Sequence, residues 1–90
     1  MKRLTVTVRG TVQGVGFRAH AKATAERLGL VGTVGNNPDG SVTIVAEGPD
    51  AALDRLLEWV RTGPDAARVE SLDERRTAAS GGYEDFRILR

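Results

Sequence analysis

The chain has 90 residues, 40% of them hydrophobic and 28% charged, with 13 basic against 12 acidic side chains. That is the size of one globular domain, 1–90, whose core must be aliphatic because the aromatics are only Phe17, Trp59, Tyr83 and Phe86. A net charge of +1 leaves no footprint for nucleic acid, and a chain with no cysteine and one histidine has no disulfides, thiolate metal sites or imidazole clusters. Neither an apolar signal segment nor a bilayer-length run is present, so a soluble cytoplasmic protein with no membrane partner is expected.

Leu4, Val6 and Val8 alternate with Thr5, Thr7 and Arg9, the pattern of a half-buried strand. Gly10 to Gly16 carries three glycines and reads as a loop. Phe17, Ala21, Ala25 and Leu28 then fall at helical spacing, with Gly29 placed to end that helix. Val31 to Val34 is a short strand. Asn37-Pro38-Asp39-Gly40 has the residues of a type I turn in order, and Val42, Ile44 and Ala46 form the returning strand of a hairpin. Gly48-Pro49 opens a second helix with Pro in its first position. Leu53, Leu56, Leu57 and Val60 are its apolar stripe, and Gly63-Pro64 stops it.

Between Arg68 and Thr77, Val69 and Leu72 are out of phase for one face, which predicts a strand with a bulge or bend. Ala78 to Gly82 is a loop, and Phe86 and Ile88 belong to a terminal strand. The order is a split βαβ arrangement, an α+β fold of the ferredoxin-like type. It predicts an antiparallel sheet with two helices packed on one face.

One segment points to chemistry. In Gly10-Thr11-Val12-Gln13-Gly14-Val15-Gly16-Phe17-Arg18 a strand enters a glycine-rich loop, and the loop enters a helix. Successive amides of such a loop can converge on an anion, and the helix terminus adds free N–H groups and a favourable dipole. The Arg18 fork can grip two phosphate oxygens. Spacing alone leaves two readings open, a dianion site or an ordinary strand-to-helix turn beside a solvated arginine. No Gly-Lys-Ser/Thr follows, so the segment is not a P-loop.

These nine residues resemble the first motif of the acylphosphatase family, Gly-x-Val-Gln-Gly-Val-x-Phe/Tyr-Arg, at every fixed position. Gly32-Thr33-Val34-Gly35-Asn36, followed by Gly40-Ser41-Val42, is similar to its second motif, and Gly48 and Phe86-Arg87-Ile88 also fit. The chain departs from the pattern at Thr33, where an aromatic is usual, at Gly35, where a long polar side chain is usual, and at Ala19-His20.

The resemblance implies hydrolysis of an acyl phosphate to a carboxylate and inorganic phosphate by in-line attack of water. Gln13, Gly14, Val15, Gly16, Phe17 and Arg18 would hold the phosphoryl group, with Arg18 catalytic, and Asn36 would orient the water. It implies no metal, no cofactor and no phosphoenzyme. The partners expected are an acyl phosphate and, as product or competitor, inorganic phosphate, with the chain acting as a monomer. The alternative is a non-catalytic phosphate-binding module on the same fold. An RNA-binding sheet is disfavoured because the central strands carry no aromatics.

His20 lies two residues from Arg18 and is expected to be structural or solvated. Asp39 and Asn37 are expected to serve the turn, Trp59 to pack at the core or its rim, and Tyr83 and Phe86 to anchor the last strand. The side-chain amides, Gln13, Asn36 and Asn37, all fall in these two segments.

Overall fold

A computed structural model describes all 90 residues. The elements are β1 (Lys2–Thr11), α1 (Phe17–Arg27), β2 (Val31–Asn36), β3 (Val42–Gly48), α2 (Asp50–Thr62), β4 (Arg68–Ala78) and β5 (Phe86–Ile88). They form one sheet in the order β4-β1-β3-β2-β5. Both helices lie on its apolar face, α1 across β2 and β5, and α2 across β1, β3 and β4. The ferredoxin-like α+β architecture expected from the element order is the one observed.

The apolar stripes read from the chain are the ones buried. Leu4, Val6 and Val8 meet Val42, Ile44, Ala46 and the α2 residues Leu53, Leu56 and Val60 in one continuous core. Each such side chain, fully removed from water, contributes about 1.5–3 kcal/mol before entropy is subtracted. Phe17 is the largest side chain there, and its ring meets Trp59 at 5.3 Å between centroids, tilted by 54°, joining the start of α1 to the end of α2.

Helix α1 stops as expected. The Gly29 N–H donates to Glu26 and the Leu30 N–H to Ala25, the paired bonds of a Schellman ending. The turn at Asn37–Gly40 closes with the Gly40 N–H on the Asn37 carbonyl at 3.1 Å.

The out-of-phase pair in β4 is explained by its register against β1. Arg9 pairs with Ser71 but Gly10 with Val69, so Glu70 is an extra residue and forms a bulge.

Two expectations are corrected. Pro49 is the cap residue and not the first helical position. Its ψ of 147° is extended, and the helix begins at Asp50, with the Leu53 N–H reaching back to the Pro49 carbonyl at 3.0 Å. The sheet is also mixed, not wholly antiparallel: β5 runs parallel to β2. Strand β4 ends opposite Lys2, at the end of the sheet where β2 begins. The chain crosses that end of the sheet through residues 79–85, so β5 starts beside the start of β2 and must run the same way.

Glu47 secures the crossover. Its buried carboxylate accepts the Ser80 and Gly81 N–H groups at 2.8 and 3.0 Å and the Arg3 Nε at 2.8 Å. Chiefly through the Ser80 N–H, and then the Arg3 side chain, its pKa is lowered to about 2.

Candidate active site

Strands β1 and β2 are both antiparallel to β3, so they point the same way. Their register puts Val8, Val42 and Asn36 in one row across the sheet. Facing residues in a row share a face, and Val8 and Val42 are buried beneath the helices. The Asn36 side chain therefore projects on the helix face, at the end where β1 exits into its loop and α1 begins. The fold thus sets Asn36 at the same end of the sheet as the loop and Arg18, from which it is 18 or more residues distant in the chain.

Val12 is buried and anchors the loop at its start. Gly14 and Gly16 have φ of 74° and 78°, a left-handed conformation that other residues reach only with strain. Alternation of these with ordinary residues turns successive amides to one side, the geometry of an anion nest. None of the backbone N–H groups from Gln13 through Arg18 donates to a protein acceptor. The first turn of α1 holds no acidic side chain to neutralise its dipole.

Arg18 makes no ion pair or hydrogen bond and is half-buried, whereas the other arginines without partners, Arg55, Arg68 and Arg75, stand exposed, and Arg3, Arg9, Arg61, Arg76 and Arg87 each face a carboxylate. The loop and helix start thus combine unengaged N–H donors with an unpaired positive side chain.

Asn36 is held by its backbone. Its N–H donates to the Arg90 carbonyl at 2.8 Å, and its carbonyl accepts from Arg90 Nε at 2.9 Å. Its side-chain Oδ1 is buried yet accepts no hydrogen bond from the protein. Such an acceptor costs stability unless a water or a ligand donates to it.

Gln13 ties the two halves together through its side chain. Nε2 donates to the carbonyls of Asn37 and Ser41 at 2.8 and 2.9 Å. This side chain faces the hairpin turn, so only the Gln13 backbone is available to the loop.

The remaining candidates are placed as follows. His20 is exposed, its Nδ1 2.8 Å from the Gly16 carbonyl. Asn37 Nδ2 donates to the hydroxyls of Ser41 and Thr43, inside the turn. Asp39 accepts the Ser41 hydroxyl and N–H, and in that order these hold its pKa below the usual carboxylate value. Thr33 lines an open groove with Tyr83 and Arg87, apart from the loop. Leu89 and Arg90 pack across Gly35, where a Cβ would lie 3.4 Å from the Leu89 Cβ.

Arg90 and the Gln13 side chain were not visible as functional parts from the sequence. The clustering of scarce amides was the available signal for Gln13. Arg90 had none, because its role depends on the parallel β2–β5 pairing.

A split βαβ sheet with both helices on one face, its β1–α1 loop, Arg18 and the orphaned Asn36 side chain at one end, defines an α+β domain of the ferredoxin-like type. The family model described as Acylphosphatase matches residues 4–88. An acylphosphatase of Methylococcus capsulatus is 51% identical over 90 residues, covering 100% of this chain and 98% of that one. The crystal structure of acylphosphatase from Bacillus subtilis superposes with a TM-score of 0.96 at 36% identity, covering 100% of both chains. An acylphosphatase structure from Coxiella burnetii gives 0.92 at 38% identity, covering 98% of this chain and 92% of that one. The chain belongs to the acylphosphatase family and is an enzyme of that hydrolase type.

Proposed function

We propose that the acyl phosphate is hydrolysed by direct in-line attack of water on phosphorus, without a metal. The loop amides of Gln13, Gly14, Val15, Gly16, Phe17 and Arg18, together with the Arg18 guanidinium, hold the phosphoryl oxygens, and Asn36 orients the water through its Oδ1. The water oxygen forms the new bond to phosphorus as the bond to the acyl oxygen breaks. The carboxylate leaves with that electron pair, and the water proton passes to the phosphate product or to solvent. Inorganic phosphate, as product, competes for the same donors, and one chain supplies them all.

Phosphoryl transfer asks a protein mainly for positioning and charge stabilisation. A carboxylate leaving group has a conjugate acid with a pKa of about 4, so it needs no general acid. That agrees with a site built of amides, one arginine and one asparagine. The observation that carries the reading is the run of unengaged N–H groups from Gln13 through Arg18, at a helix start beside an unpaired arginine.

The test is hydrolysis of benzoyl phosphate in excess chelator by wild type, Arg18→Ala and Asn36→Ala. Arg18→Ala should lose turnover and inhibition by phosphate together. Asn36→Ala should keep phosphate inhibition and lose about 10²–10³ in kcat, the usual effect of one donor or acceptor aimed at the transition state. Full activity in either variant, or activity that requires added magnesium, overturns the mechanism.

A further inference from the structure

Between the loop and the α2–β4 connection lies an open cleft of about 440 Å³. Val15 and His20 form one wall; Trp59, Pro64 and Ala66 form the other, with Asp65 at the rim. The walls are mixed: Val15, Trp59 and Ala66 supply apolar surface, and His20 and Asp65 supply polar groups. Trp59 is half-buried and braced from behind by Phe17, and His20 is held by its contact with the Gly16 carbonyl. The cleft therefore has a stiff aromatic side and a fixed imidazole side.

Its position follows from the topology. Helix α2 stands over β1, β3 and β4, whereas Asn36 ends β2, towards the other edge of the sheet. The loop leaves β1 and crosses to α1, which lies over β2 and β5. A group seated in the loop has Asn36 on one flank and this cleft on the other. In-line displacement places the attacking and leaving oxygens on opposite sides of phosphorus. With water on the Asn36 flank, the leaving carboxylate faces the cleft.

We propose that this cleft receives the acyl group, and that it selects uncharged aromatic or branched aliphatic acyl phosphates. The proposal rests on the reading of the loop as the phosphoryl site. Val15, which lines the cleft and also belongs to the loop, makes the two continuous. The apolar surface of Val15, Trp59 and Ala66 favours an apolar acyl chain. The exposed Asp65 carboxylate opposes acyl groups that end in a second carboxylate, because like charges brought together cost affinity. Acetyl phosphate offers a single methyl group to these side chains, far less apolar area than a phenyl ring.

Trp59 is the only tryptophan, so its fluorescence reports on the cleft without any need for turnover. Benzylphosphonate should change the Trp59 emission and compete with phosphate, whereas methylphosphonate should compete and leave the emission unchanged. Ala66→Glu, which fills and charges an exposed position, should lower kcat/KM for benzoyl phosphate about tenfold and change that for acetyl phosphate less than twofold. An unchanged emission with bound benzylphosphonate, or an equal loss on both substrates, overturns the assignment of the cleft. The fluorescence measurement stands on wild type alone, so it decides the matter even if the variant does not fold. If wild type turns over neither substrate, the phosphoryl reading fails as well; normal turnover without preference for benzoyl phosphate removes only the cleft.

Discussion

Replacing Gln13 with leucine tests whether the loop and Asn36 are held as one unit. The substitution keeps the size of the side chain and removes the two bonds to the Asn37 and Ser41 carbonyls. Neither carbonyl is left orphaned, because Asn37 still accepts the Gly40 N–H and Ser41 the Asn37 N–H. The cost is then the net value of two neutral bonds, about 0.5–1.5 kcal/mol each and about 2 kcal/mol together. In a domain of this size that lowers Tm by roughly 10 °C. The kinetic effect has a different origin. Freed from the hairpin turn, the loop no longer sits at a set distance from Asn36, and small misplacements of reacting groups are expensive. At 25 °C, with the variant still folded, kcat should fall about tenfold and phosphate inhibition less. Thermal melts followed by circular dichroism and steady-state hydrolysis of benzoyl phosphate give both numbers. A Tm within about 2 °C of wild type together with unchanged kcat would refute the view of Gln13 as a clamp.

Other outcomes follow from the same structure. A chain ending at Leu89 loses both bonds that hold the Asn36 backbone, so kcat should drop several-fold with KM nearly constant, and Arg90→Ala, which keeps the Arg90 carbonyl, should drop less; a rise confined to KM would contradict this. Gly14→Ala meets no neighbour within 4 Å but forces a φ of 74°, at a cost of about 1–2 kcal/mol that turns the loop amides away, so phosphate inhibition should weaken about tenfold. Glu47 has a folded pKa of about 2 against 4.5 unfolded, so its stabilisation is complete above 4.5 and is lost as pH falls towards 2. Urea midpoints of Glu47→Gln should accordingly vary less with pH between 4.5 and 2 than those of wild type, and equal slopes would remove Glu47 from the acid response.

Much of the fold was legible because its signals are local. The alternation from Leu4 to Val8, the stripe from Phe17 to Ala25 and the turn residues from Asn37 to Gly40 each specify one element without help from elsewhere. The phase break between Val69 and Leu72 even located the bulge. The loop and Arg18 were legible as a pattern, and the resemblance singled out Asn36. What escaped depends on long-range pairing. The direction of β5 follows from where β4 ends, which no residue of β5 records. Glu47 alternates as an outward residue and is buried only because the crossover folds onto it. The shift at Pro49 has a different cause: the proline ring sets φ but leaves ψ free, so cap and first helical position look alike in sequence.

The bulge at Glu70 also bears on how this protein lives among copies of itself. Strand β4 is the outer edge of the sheet and, at 11 residues, the longest strand. An edge of that length offers a row of free backbone groups on which another strand could build. Here the surplus residue kinks the ladder, and Glu70, Asp73, Glu74, Arg75 and Arg76 stand exposed along it. An incoming strand would meet a broken register and would have to bury charge, two of the means by which natural sheets avoid unwanted growth. The irregularity that spoiled a simple alternation in the sequence is thus a guard against fibre formation, set on the side of the molecule away from Asn36.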